Sequence, residues 1–244
     1  MSLPIITPDW PAPKRVRALT TTRLGGVSLP PYDSLNLGDH VGDDPAAVAE
    51  NRRRLCEELG LPAEPRWLSQ VHGTSCCDAA STRPGTEADA LFAVQPGVVC
   101  AVLTADCLPL LLCDMAGERV AAIHAGWRGL LDGVIENSVQ EMAAEGEVMA
   151  WLGPAIGPAA FEVGDEVRRA FVEQDPAAAE AFVHGEADRW LADIYRLARQ
   201  RLSACGITRV YGGDLCTFSE RERFYSYRRD GQTGRIASLI WIEK

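Results

Sequence analysis

From Val98 to Cys113 the chain is apolar except at Thr104, Asp106 and Pro109. These breaks leave no stretch near the roughly 18 residues a membrane-spanning helix needs, and they divide the run into strand-like segments at 98–103 and 108–113. A third follows at 119–124, beyond the turn Asp114-Met115-Ala116-Gly117. Pairing the last two as a hairpin, with Cys113 opposite Glu118, sets Cys107 opposite His124 at the open end. Their β-carbons would then lie about 4.5 to 5.5 Å apart, a spacing that suits either two ligands of one metal or a nucleophile and its base.

Further strands are expected at 16–22, 66–71, 148–152, 207–211, 223–227 and 236–242. Asp44 before Pro45 and Gly60 at the far end bracket a helix over 45–59. Apolar residues at helical spacing predict two more, over 128–144 and from Leu191 to Cys205. Prolines at 4, 8, 11 and 13 suggest an extended N-terminal arm. Helices and strands mix without strict alternation, which favours an α+β fold over a doubly wound sheet. At 244 residues the chain has room for one large core.

A formal charge of −10 argues against nucleic acid as a partner. With no positive-then-apolar leader at the start, the expected location is the cytoplasm and no membrane is involved. Eight cysteines are too sparse for a disulfide scaffold and are expected as thiols. No Gly-x-Gly and no Walker loop occur, which removes the common dinucleotide and triphosphate cradles. His184-Gly185-Glu186 matches part of a cytidine-deaminase pattern but lacks the Cys-x-x-Cys that completes it, so His184 reads as a loop histidine.

Three contexts remain: Ser69-Gln70-Val71-His72-Gly73, Thr104-Ala105-Asp106-Cys107 and His124-Ala125-Gly126-Trp127-Arg128-Gly129. Each places a His or Cys where a strand ends beside small residues, the usual position of functional groups. If the 66–71 segment delivers His72 to the hairpin's open end, one sulfur and two imidazoles form a three-ligand site with an open fourth position, as in catalytic zinc. The alternative is two core histidines and a buried thiol.

Together with Thr22-Arg23-Leu24-Gly25-Gly26-Val27-Ser28, Asn36-Leu37-Gly38, Ala88-Asp89-Ala90, Gly153-Pro154-Ala155-Ile156-Gly157 and Phe224-Tyr225-Ser226-Tyr227-Arg228-Arg229-Asp230, these motifs closely resemble the YfiH family. That family is also called laccase-domain or multicopper polyphenol oxidoreductase-like, and one branch is named peptidoglycan-editing factor. The likeness runs from about residue 10 to the end, as a single domain over 1–244. It implies a zinc site at His72, Cys107 and His124. It also implies a four-layer α-β-β-α sandwich with mixed sheets, related to the catalytic domain of cytotoxic necrotising factor.

The implied activity is phosphorolysis of purine nucleosides (adenosine, inosine, guanosine and methylthioadenosine), with deamination of adenosine. Purine nucleosides and phosphate are then the partners. An open zinc position suits deamination because it acidifies bound water. Asp89 or Asp106 would shuttle the proton, while Arg23 or Arg128 would meet the phosphate. A multicopper centre needs far more than the four histidines present. One copper with a distant methionine remains formally open, and copper capture in vitro follows from the affinity order. Cys107 as a thiolate nucleophile with His124 as its base, an amidase or hydrolase acting on peptidoglycan-related substrates, is the other alternative.

Overall fold

The computed structural model describes residues 3–244. In chain order the elements are β1 (Ile5–Ile6), β2 (Val16–Thr21), α1 (Pro45–Leu59), β3 (Cys76–Asp78), β4 (Ala90–Ala93), β5 (Cys100–Thr104), β6 (Leu108–Asp114) and β7 (Val120–Ala125). Then come α2 (Trp127–Asp132), α3 (Val134–Met142), β8 (Val148–Leu152), β9 (Glu162–Gly164) and α4 (Asp165–Gln174). The chain finishes with β10 (Phe182–His184), β11 (Arg189–Ala192), α5 (Ile194–Ala204), β12 (Arg209–Gly212), α6 (Tyr227–Asp230) and β13 (Ile236–Ile242).

The strands form three sheets, ordered β1-β2-β13-β5, β10-β11-β9 and β12-β8-β6-β7-β4-β3. The last is mixed, because β12 and β3 each join it in parallel. Strands β5, β6 and β7 are buried at every position, which the unbroken apolar runs of their sequence require. One core cluster unites Val102 and Ile240 of the four-stranded sheet with Leu111, Val120 and Trp151 of the six-stranded one. A second joins Leu110 and Ile123 to Leu130, Ile135, Phe171 and Leu202 of the helices. The third sets Leu55 of α1 against Leu103 and Leu239. Among the described residues, no helix is long and apolar enough to cross a membrane.

Helix α1 takes its expected limits: Asp44 accepts from the Ala46 amide at 2.9 Å, and Gly60 closes the helix in the left-handed conformation. The expected helix 128–144 is instead two helices, since Gly133 takes φ 99° and ends the first. Three other expectations need correction. The β6–β7 hairpin pairs Cys113 with Val120 and Pro109 with His124, two residues from the expected register, because Asp114 Oδ1 gathers the Glu118 and Arg119 amides into a longer turn. Cys107 therefore lies just outside the ladder.

Residues 66–71 form no ladder strand; only Arg66 and Ser69 make single bridges. Gln70 takes the place of a strand residue there, its side-chain amide donating to the Leu103 carbonyl at 2.8 Å and accepting from the Leu103 amide at 2.7 Å. At 223–227, Phe224 and Tyr225 are wholly buried, but the segment is a turn leading into α6. All eight cysteines are free thiols, as expected.

Candidate metal centre

Strand β5 belongs to the four-stranded sheet and β6 to the six-stranded one, so Ala105, Asp106 and Cys107 carry the chain across between them. Asp106 makes the sharp crossing at φ 93° and is locked there. Its Oδ1 accepts from the Thr217 hydroxyl at 2.6 Å, its Oδ2 from the Arg228 amide at 2.7 Å, and its carbonyl from the Ile156 amide. His124 arrives from the other direction as the penultimate residue of β7. His72 comes from the loop that Gln70 anchors beside β5.

These three side chains meet, with one donor atom from each lying within 4.8 Å of the others. The Cys107 Sγ is 3.7 Å from His72 Nε2. A sulfur and a nitrogen on one tetrahedral zinc stand about 3.6 Å apart, given ordinary Zn–S and Zn–N lengths. The two imidazoles cross edge to face with centroids 4.8 Å apart. Gly126, which caps the start of α2, keeps a side chain off His72 and Cys107. A β-carbon there would stand 2.7 Å from His72 Cδ2 and 3.1 Å from the Cys107 sulfur.

Asp89 organises the site from behind. It lies one residue before β4, in register with His124, and is wholly buried. Its carbonyl accepts from the His124 amide at 2.7 Å, while Oδ1 pairs with His124 Nδ1 at 2.8 Å. That bond leaves Nε2 of His124 as the nitrogen available to a metal, the carboxylate–histidine arrangement of metal sites. The same carboxylate accepts from the amides of His72 at 2.9 Å, Gly73 at 2.7 Å and Val71 at 3.2 Å. His72 holds φ 60°, a conformation that costs free energy outside glycine and persists where its surroundings over-determine it. One buried carboxylate thus sets both the ring orientation of His124 and the backbone of His72.

Electrostatics follow from this packing. Burial raises the Cys107 thiol, but the neighbouring His124 charge and hydrogen bonds from both histidines outweigh it and bring the group down to about 6. Burial lowers His124, yet the Cys107 thiolate and Asp89 together raise it to about 9. Asp89 is opposed by burial and nonetheless held below the usual carboxylate range by His124 and the Gly73 and His72 amides. At neutral pH the metal-free pair is therefore thiolate and imidazolium. The donor set fits a divalent metal: a sulfur already ionised, two imidazoles with donor atoms within reach of one ion, and a second-layer carboxylate.

Proton release gives this picture a number. A bound metal needs both groups deprotonated, so between about pH 6 and pH 9 the pair gives up one proton, from His124. Above that window it gives up none, and below it two. Zinc titration calorimetry at pH 7.5 in buffers of differing ionisation enthalpy should report close to one proton from this pair; zero would mean that both groups are already deprotonated in the metal-free protein.

The remaining expected residues are placed differently. Asp89 and Asp106 have all their carboxylate oxygens engaged by protein donors, so both orient neighbouring groups instead of facing solvent as proton carriers. Arg128 is exposed in the first turn of α2, its guanidinium 4.5 Å from the Trp127 ring centroid. Trp127 itself packs against the helix-side core. Arg23 is fastened to Asp33 through the backbone oxygen at 2.9 Å and the carboxylate at 3.3 Å. It lines a 460 Å³ cavity with Asp33, Arg221 and Asp230 that includes none of His72, Cys107 and His124.

Arg229 pairs with Asp230, and Arg228 donates to the Glu162 carbonyl. Among the described residues no methionine stands where a copper site needs one: Met115 is in the hairpin turn, Met149 pairs with Cys113 at that same far end, and Met142 fills the helix-side core. His184 is exposed at the end of β10. Gly126 and the hub role of Asp89 escaped the sequence reading. A void leaves no donor to find, although Ala88-Asp89-Ala90 did mark a charge set among small residues.

A family model described as multi-copper polyphenol oxidoreductase laccase matches residues 17–243. A Pseudomonas aeruginosa protein named purine nucleoside phosphorylase is 59% identical over 98% of both chains. Escherichia coli purine nucleoside phosphorylase YfiH is 56% identical, again over 98% of each. Among solved structures, a Neisseria meningitidis protein superposes with a TM-score of 0.95 at 52% identity over 98% of this chain and 99% of that one. YlmD of Geobacillus stearothermophilus superposes with 0.88 at 31% identity over 95% and 93%. The motifs, the mixed α/β architecture and likeness along nearly the whole length agree: the chain belongs to the laccase-like YfiH family.

Proposed function

We propose that this protein is a zinc-dependent purine nucleoside phosphorylase that also deaminates adenosine, with His72, Cys107 and His124 as the metal ligands. The observation that carries this reading is the meeting of those three donors at one lip, in a chain 59% identical to a protein named for that activity. A zinc ion held there would supply Lewis acidity next to the substrate. The chain's own residues do the rest. Asp89 fixes the His124 ring, and Asp106 holds the crossing that presents Cys107. Val71 and Tyr227, both well exposed beside the lip, offer apolar surface for a purine. Arg128 adds positive charge on the approach.

The same reading takes the chain as one domain whose succession is α1, the four-stranded sheet, the six-stranded sheet and the remaining helices. This is the four-layer sandwich that the likeness to the necrotising factor domain implies, and the cytoplasm is its proposed location. A second reading, a Cys107–His124 amidase or hydrolase, is favoured by the thiolate that His124 sustains.

The deciding experiment incubates the zinc-loaded protein with adenosine, with and without inorganic phosphate, and separates adenine, inosine and hypoxanthine. Adenine formed only with phosphate is the expected result, with inosine formed in both arms. Absence of both products overturns the reading.

A further inference from the structure

The Asn36-Leu37-Gly38 motif has no part in the metal centre, yet it builds something next to it. The buried Asn36 side chain accepts from the amides of Gly38 at 3.0 Å and Arg235 at 2.9 Å. Gly38 leaves room for the Arg235 stem, since a β-carbon there would fall 2.8 Å from Arg235 Cγ. Arg235 immediately precedes β13, whose first residue pairs with Thr104. It therefore stands at the end of the sheet where Asp106 and Cys107 cross.

Its guanidinium is half spent. Nη1 donates to the carbonyls of Thr233 and Gly234, both at 3.0 Å. Among the described residues no carboxylate pairs with it, and Nε and Nη2 donate to nothing. Those two groups form the side of the fork that grips an oxyanion with two parallel bonds. Burial lowers the pKa of this group against the raising influence of Cys107, Asp106 and Tyr227. Of those, Asp106 is already satisfied by Thr217 and Arg228, and a metal would take up the charge of Cys107. His40, nearby, is pushed low by burial and by Arg235 and Arg52. A partly desolvated cation short of countercharge, with a free fork beside the ligand set, calls for an anion.

We propose that Arg235, positioned by Asn36 and Gly38, is the residue that binds the attacking phosphate in the reaction proposed above. This inference rests on the phosphorolysis reading and supplies it with a phosphate contact that neither Arg23 nor Arg128 provides. Arg235→Gln should raise the KM for inorganic phosphate about tenfold to a hundredfold, leave the nucleoside KM within threefold and leave the zinc content unchanged. Arg235→Lys should recover part of the loss, since a point charge replaces a fork. Inorganic phosphate should also raise the melting temperature of the wild-type protein and not that of Arg235→Gln. A wild-type enzyme without phosphate-dependent cleavage overturns the phosphorolysis reading. Wild-type cleavage with an unchanged phosphate KM in Arg235→Gln overturns this inference alone.

Discussion

Cys107→Ala and His72→Asn should each abolish stoichiometric zinc binding and lower purine turnover by about three orders of magnitude or more, with little change in the unfolding of the metal-free protein. Loss of one ligand from three leaves two donors, too few to retain zinc at the expected occupancy. Asparagine is chosen at 72 because it tolerates the left-handed conformation that position requires. His124→Ala is the poorer variant: it leaves the buried Asp89 charge without its partner, so lost activity would be confounded with lost fold. Metal analysis by mass spectrometry and an adenosine assay check both outcomes. Full turnover in either variant would exclude the metal centre from catalysis. The hydrolase reading predicts instead a metal-free native protein rapidly alkylated at Cys107.

The second large effect belongs to Asp89→Ala. Removing a buried carboxylate that serves one imidazole and three backbone amides should cost about 3 to 5 kcal/mol, seen as a melting temperature lower by about 10 °C or more. Zinc affinity should fall about 10- to 100-fold further, because His124 loses its orienting partner. The carboxyl is held below its ordinary range in the fold. Its contribution is thus complete above the usual carboxylate pKa and is lost as acid takes the pH through the lower folded value. The wild-type and variant melting curves should accordingly converge in acid. A difference that stays constant down to the lowest pH would mean that Asp89 acts by packing alone.

Much of this was legible in the sequence where the signal is local. Helix α1 is announced by Asp44, Pro45 and Gly60, and the three metal-ligating candidates by small residues at strand ends. The register of β6 and β7 was not, because it depends on how many amides the Asp114 side chain collects, which apolar alternation does not encode. The placement of His72 was legible only as a condition. What satisfies that condition is Gln70 standing in for a ladder residue beside β5, a contact between positions 33 residues apart. Likewise, Asp89 and Asp106 were identified as carboxylates near the chemistry. Their work as anchors became visible only once the amides of distant segments were placed around them. The helix expected over 128–144 ran through Gly133, whose φ of 99° ends α2.

Gly126 bears on any attempt to transplant this centre. Copying two imidazoles and a sulfur onto another hairpin would reproduce the atoms that bind and omit the blank wall that lets them approach. A host scaffold must therefore supply a position where nothing projects, together with a carboxylate seated behind one ring. At residue 126, a single added methyl group would press on the His72 ring and the Cys107 sulfur.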